Sequence, residues 1–184
     1  EFHDVTLLFA DIAGFTKFAS EALADEVVKL LSKLCTEFDK MCLKYQVYKV
    51  YTIGDGYVVM EFTDKDKRNP GKEAKNVVQM ALAMIDIIIV TKKEINFEKL
   101  NMRIGIHTVS YQIILSLNPF CDLLGTLIGG IFSTDIVRYD IYGPEVLIAN
   151  KMESSGEERQ INESERTKYW LENEYPGEFQ FTPH

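Results

Sequence analysis

Ile53-Gly54-Asp55-Gly56 stands between two runs rich in β-branched and aromatic residues, 47–52 and 57–62. Asp-Gly between such runs is a strong hairpin signal, because aspartate and glycine accept the backbone conformations that a tight turn demands. A hairpin placed here forces two strands to lie antiparallel and obliges further strands or helices to cover them. The rest of the chain has to be arranged around it.

Residues 5–10 (VTLLFA) are a short apolar run that reads as a buried strand, and 11–16 turn from it into a helix. Across 21–44, Leu23, Val27, Leu30, Leu31, Leu34, Phe38 and Met41 recur at steps of three and four, the mark of an amphipathic helix. Residues 64–72 are charged, contain Asn69-Pro70-Gly71 and read as a surface loop. A second long helix is predicted over 75–92, with Val77, Val78, Ala81, Leu82, Ile85, Ile88 and Ile89 inward. Strands are predicted at 102–108, 128–132, 139–142 and 179–181, and helices at 144–153 and 164–173. Pro144 sits early in its helix, where a missing N–H is tolerated. The order predicts an α+β fold: a ferredoxin-like, split β-α-β arrangement whose mixed, mainly antiparallel sheet is covered by helices on one face. One domain over 1–184 is expected, with no internal repeat.

Size and charge narrow the function. The 184 residues suffice for a real core. Twenty basic against 28 acidic residues give a net charge of −8, which argues against a nonspecific grip on nucleic acid. It does not argue against a nucleotide, since a metal ion supplies local positive charge. Cys35, Cys42 and Cys121 are odd in number, fit no zinc spacing and read as buried thiols in a reducing compartment. The most apolar stretches, 81–90 and 113–117, are shorter than a membrane span, and no signal peptide opens the chain. The abrupt start and stop suggest a domain cut from a longer protein, so a membrane-anchored parent with this domain on its cytoplasmic side is compatible with the sequence.

Asp11 ends the first strand and Asp55 lies at the hairpin tip. In a split β-α-β arrangement the first strand runs beside the hairpin, so the two carboxylates can converge. Two carboxylates at strand ends suit magnesium with a triphosphate. Gly14-Phe15-Thr16 would offer backbone N–H groups at a helix start. Each piece alone has a plainer reading: Asp55 as turn chemistry, Asp11 as a helix cap.

Four blocks carry more than spacing. Phe9-Ala10-Asp11-Ile12-Ala13-Gly14-Phe15-Thr16 resembles the opening signature of class III adenylate and guanylate cyclases. Lys49-Val50-Tyr51-Thr52-Ile53-Gly54-Asp55-Gly56-Tyr57 is similar to the second block, and Asn101-Met102-Arg103-Ile104-Gly105-Ile106-His107-Thr108 to the third. The fourth is Tyr139-Asp140-Ile141-Tyr142-Gly143, continuing to Ala149-Asn150-Lys151-Met152-Glu153. The blocks stand in the family's order and are most like the metal-binding domains of protist membrane guanylate cyclases. The resemblance implies that Asp11 and Asp55, with the Ile12 carbonyl, bind two ions, Mg2+ or Mn2+. It implies that Gly14, Phe15 and Thr16 cradle phosphate, and that Arg103 approaches the triphosphate with its bidentate fork. It gives His107 no role as a base.

The departures are as informative. Tyr51 stands where adenylate cyclases have lysine and guanylate cyclases glutamate. Asp140 matches a second base-selecting position. Leu147 and Lys151 stand where a complete domain has an asparagine for the ribose and an arginine for the transition state; leucine cannot hydrogen-bond and lysine lacks the fork. The resemblance therefore implies half of a two-domain site, completed by a complementary domain in a heterodimer or pseudo-heterodimer. GTP is the expected substrate and ATP the runner-up. A catalytically silent regulatory domain and another phosphoryl-transfer enzyme on a palm-like fold are the alternatives. Residues 109–124 intervene where the family turns tightly, and read as an insertion packing on a partner, a hydrophobic loop, or sequence foreign to the fold.

Overall fold

The computed structural model describes residues 3–61, 68–113, 127–131 and 139–183. Its elements run β1 (His3–Asp11), α1 (Phe15–Glu21), α2 (Ala24–Tyr45), β2 (Tyr48–Ile53), β3 (Gly56–Met60), α3 (Pro70–Glu94), β4 (Arg103–Ile113), β5 (Leu127–Ile131), β6 (Tyr139–Tyr142), α4 (Pro144–Ser155), β7 (Ile161–Glu163) and α5 (Glu165–Glu174). Among the described residues the strands make one sheet in the order β2-β3-β1-β4-β5-β6, with β7 also on β4. The β1–β3, β1–β4, β2–β3 and β5–β6 pairs are antiparallel; β5 and β7 join β4 in parallel. The expected mixed, mainly antiparallel α+β fold is what forms.

The central strand β1 is apolar on both sides because both sides are covered. Leu8 and Ala10 face a core shared with Leu34 and Phe38 of α2, Val77, Ala81 and Ile88 of α3 and Leu171 of α5. Val5, Leu7 and Phe9 face a second cluster with Val50, Val58, Met60, Ile141 and Ala149. Each of the Val, Leu, Ile, Phe and Met side chains, fully buried, contributes about 1.5–3 kcal/mol. The expectation of helices on one face therefore holds for α2, α3 and α5, while α4 lies on the other face through Ala149. β6 also folds back against β2 there, with Ile141 and Val50 in one cluster.

Several boundaries differ from the sequence-based expectation for local reasons. The helix predicted over 21–44 is α2, which starts at Ala24 after the separate short α1, and Leu23 is the exposed N-cap of α2 rather than a core residue. Residues 70–72, predicted as loop, are the first turn of α3: the Asn69 side chain accepts from the Lys72 N–H at 2.7 Å, and Pro70 sits at the first helical position. By length and composition α3 could cross a membrane. Here one side of it lies in the core, and its buried Glu73 and Lys92 pair with Arg68 and Glu98. The strand predicted at 179–181 does not form, and Phe179 and Phe181 pack as single side chains; β7, which was not foreseen, pairs with β4. Of the supposed insertion, residues 109–113 continue β4, with Tyr111 and Val109 opposite His3 and Val5. Residues 114–124, with Cys121, lie outside the described residues. Cys42 is buried as expected and Cys35 is half-buried.

Candidate active site

Strand register brings the acidic residues together. Ala10 pairs with Tyr57 across β1 and β3, and Asp11 pairs with Arg103 across β1 and β4. One step beyond Ala10–Tyr57, the end of β1 meets the β2–β3 turn, where Asp55 sits. The turn itself is one residue earlier than the sequence suggests. Ile53 pairs with Gly56, so its central residues are Gly54 and Asp55. Only Gly54 has a positive φ, 59°, the pattern of a turn with glycine first. Asp55 is thereby a turn residue whose carboxyl is free to point at β1.

The two carboxyls interact. Burial, then the charge of Asp11 and a hydrogen bond with it, hold the Asp55 carboxyl above the ordinary aspartate range, against the opposing pull of its own backbone and of Arg103. Two close carboxylates cannot both ionise cheaply without a cation between them. The donor set fits a hard divalent ion: two carboxylates, plus the Ile12 carbonyl, which accepts a single 3.1 Å bond from the Phe15 N–H and keeps a second lone pair. Among the described residues no group of three or more Asp, Glu, His or Cys side chains forms a metal cage. Magnesium-type sites often lack one, being completed by water and substrate phosphates.

Arg103 closes the other side. Its Nη2 donates to Asp11 Oδ2 at 2.6 Å and its Nε to Glu153 Oε1 at 3.1 Å. Glu153, on α4, was quoted in the fourth sequence block but given no role. It is 6% exposed, and burial raises its pKa despite the bonds from Ser154 and Arg103. Arg103 is thus engaged by carboxylates instead of standing alone for a phosphate.

The Gly14-Phe15-Thr16 turn leads from this site into α1. Gly14 has φ 82°, and a Cβ there would lie 2.3 Å from the Lys99 carbonyl oxygen, so only glycine fits. The Asn101 N–H donates to the Ala13 carbonyl at 3.0 Å and ties this turn to the approach of β4. Tyr51 is half-buried against the second apolar cluster. Asp140, on β6, accepts from the Ile141 N–H at 3.0 Å. The strands of these two residues lie against each other. Leu147 is 70% exposed on α4, and Lys151 is exposed beside it. His107 Nε2 is 2.7 Å from Glu145 Oε2 under α4, so it is held by that helix.

Comparison with known proteins adds a family to this geometry. The profile described as "Adenylate and Guanylate cyclase catalytic domain" matches residues 1–116 and 123–184. Guanylate cyclase alpha of Plasmodium falciparum is 39% identical over 186 residues, covering 99% of this chain but 4% of that protein. Among solved structures, the adenylyl cyclase CyaB from P. aeruginosa aligns with a TM-score of 0.76 and 26% identity, over 95% of this chain and 83% of that one. The guanylate cyclase domain of RhGC from Catenaria anguillulae, in complex with GTP, aligns with a TM-score of 0.71 and 27% identity, over 91% and 81%. The chain spans a small fraction of the length of its Plasmodium relative.

Proposed function

Because this chain belongs to the family of adenylate and guanylate cyclase catalytic domains, we propose that it is the metal-binding half of a guanylate cyclase active site, converting GTP into cyclic GMP and pyrophosphate. In this reaction a ribose hydroxyl loses its proton to solvent as its oxygen bonds to the α-phosphorus, the bond from that phosphorus to the oxygen bridging to the β-phosphate breaks, and pyrophosphate leaves with that electron pair. Asp11, Asp55 and the Ile12 carbonyl would hold two divalent ions, magnesium or manganese. Such ions lower the proton affinity of the attacking hydroxyl and stabilise charge on the leaving oxygens. Arg103 pairs with triphosphate oxygens, and the Gly14-Phe15-Thr16 turn presents its backbone to the phosphates. Tyr51 and Asp140 stand on the side of the base.

The observation that carries this reading is the convergence of Asp11 and Asp55: strand register brings the end of β1 to the β2–β3 turn, and burial, then the charge of Asp11, raises the Asp55 carboxyl. A regulatory domain without chemistry has no use for that electrostatic cost. The preference for GTP rests on the guanylate cyclase relatives; Asp140 matches a base-selecting position, but Tyr51 at the other is neither the lysine nor the glutamate of the family. Leu147 and Lys151 support the need for a complementary domain that supplies asparagine and arginine. The membrane-anchored, cytoplasmic setting rests on likeness to protist membrane cyclases. Residues 117–122, where the family match breaks, are proposed as the insertion.

The test is cyclic nucleotide formation from GTP and from ATP with manganese, for the chain alone and mixed with a complementary cyclase domain. Activity is expected only in the mixture and with GTP. Asp11→Ala or Asp55→Ala should lower it by about a hundredfold or more, since even outer-shell changes at metal sites cost about 10–100-fold. Retained activity would sink the assignment. A silent regulatory domain is the second reading, favoured by the exposed Leu147 where a ribose-binding asparagine is expected. Absence of activity in every mixture, together with absence of manganese and GTP binding, would establish it.

A further inference from the structure

The site contains one guanidinium and three acidic side chains: Asp11, Asp55 and Glu153. Arg103 is shared between two of them, by Nη2 to Asp11 and Nε to Glu153. Both oxygens of Glu153 have a neighbour: Oε1 accepts from Arg103, and Oε2 lies 3.0 Å from the Ser154 hydroxyl, whose one proton also faces the Asn150 carbonyl at 3.0 Å. Its side chain is 8% exposed, against 36% for Arg103 and 28% for Asp11. The buried partner is therefore the fixed one, and the Asp11 side of the arginine opens toward solvent.

Backbone packing places Glu153 there. A Cβ on Gly105 would lie 2.2 Å from the Glu153 nitrogen and 2.7 Å from the Met152 carbonyl carbon. Only glycine at that point of β4 lets the third turn of α4 settle against the strand, two residues from Arg103. The carboxylate of this pair is buried while the guanidinium stays partly exposed, so removing Arg103 would leave a buried charge without its partner.

We propose that Glu153 is a positioning residue for Arg103: it draws the guanidinium toward α4, so that the arginine does not close with both nitrogens on Asp11 and block that carboxylate as a metal ligand. This rests on the reading of Asp11 and Asp55 as metal ligands. Glu153 touches neither substrate nor metal in this scheme. With Glu153 neutral or drawn back, the fork of Arg103 settles bidentate on Asp11, and a cation must displace it to bind.

The experiment is a titration of the chain with Mn2+ alone, read from the loss of the free-ion electron paramagnetic resonance signal, with thermal unfolding as a control. E153Q should weaken Mn2+ binding about tenfold, the scale of an outer-shell change at a metal site. E153D, which keeps the charge but shortens the reach to Arg103, should weaken it similarly and serves if E153Q does not fold. In an R103M background neither change should alter Mn2+ binding more than about twofold, because the competitor is gone. Unchanged binding in both Glu153 variants overturns the proposal. An equal loss with and without Arg103 also overturns it, since the effect would then come from the buried charge itself. D11N and D55N separate the layers. If they abolish Mn2+ binding and the Glu153 variants do nothing, only the positioning role fails. If D11N and D55N leave binding intact, the two-carboxylate site fails and the positioning role with it.

Discussion

Asp55 shows how one side chain can cost stability and still belong to the fold. Its carboxyl lies above its ordinary value of 3.8 because burial and Asp11 disfavour the charged form. For a group raised on folding, the stabilising contribution is complete below 3.8 and is lost as pH climbs through the raised value. At neutral pH the ionised Asp55 therefore opposes folding of the metal-free chain. Asp55→Asn should raise the thermal midpoint in the presence of a chelator at pH 7. That gain should shrink toward zero as the pH falls below the carboxyl range. Differential scanning calorimetry across pH checks this; a gain independent of pH would mean that the charge of Asp55 is not what is being relieved. Tyr57, two residues along, acts oppositely. Its buried hydroxyl donates to Asp39 and meets Cys42 Sγ at 3.4 Å, so the strand that follows the acidic turn is anchored on α2.

At the scale of elements, the contact between β4 and α4 sets where Arg103 and His107 are held. Arg103 and His107 lie four residues apart on one face of β4, about 13 Å along a strand. Glu153 and Glu145 lie eight apart on α4, about 12 Å along a helix. The spans match, the elements run in opposite senses, and each basic group meets a carboxylate, at 3.1 Å for Arg103 and 2.7 Å for His107. Between these two pairs sits Gly105. Gly105→Ala forces backbone apart and should cost about 1–3 kcal/mol or somewhat more, as overpacking does. Urea unfolding measures it, and a change within error would mean that α4 yields freely. The Glu145-Ala149-Glu153 steps of four and the Arg103-Gly105-His107 steps of two were both visible in the sequence. Neither pattern says that these two faces meet, because each is equally compatible with solvated charge.

For the whole molecule, the sheet is closed by long-range pairings that tolerate change unequally. Residues 109–113 lie opposite the first residues of β1 and beside β5. Residues 117–122 fall where the family match is interrupted. Deleting 117–122 should leave the thermal midpoint within a few degrees, whereas deleting 109–113 should prevent cooperative folding by removing paired backbone from β1, the middle of the sheet. Circular dichroism melts of the two deletions distinguish these outcomes, and loss of folding in the first would make the insertion part of the native structure. The exposed Leu147 and Ile148 on α4 belong to the same scale: the face that lacks the asparagine presents apolar surface instead, in keeping with half of a composite site.

The sequence by itself determined most of the strands and helices, that the sheet would be mixed and mainly antiparallel, and that Asp11 and Asp55 could converge. Periodicity, turn residues and strand order are local or topological signals, and they suffice for those conclusions. Only the tertiary structure decided that the turn centres on Gly54 and Asp55, that β7 forms on β4 while 179–181 makes no strand, and that α4 crosses to the other face of the sheet. It alone placed Glu153 beside Arg103. That contact joins residues fifty positions apart, and it depends on a missing Cβ at Gly105 and on which face a helix chooses. Those outcomes are set by packing between elements, whose energy no single segment contains.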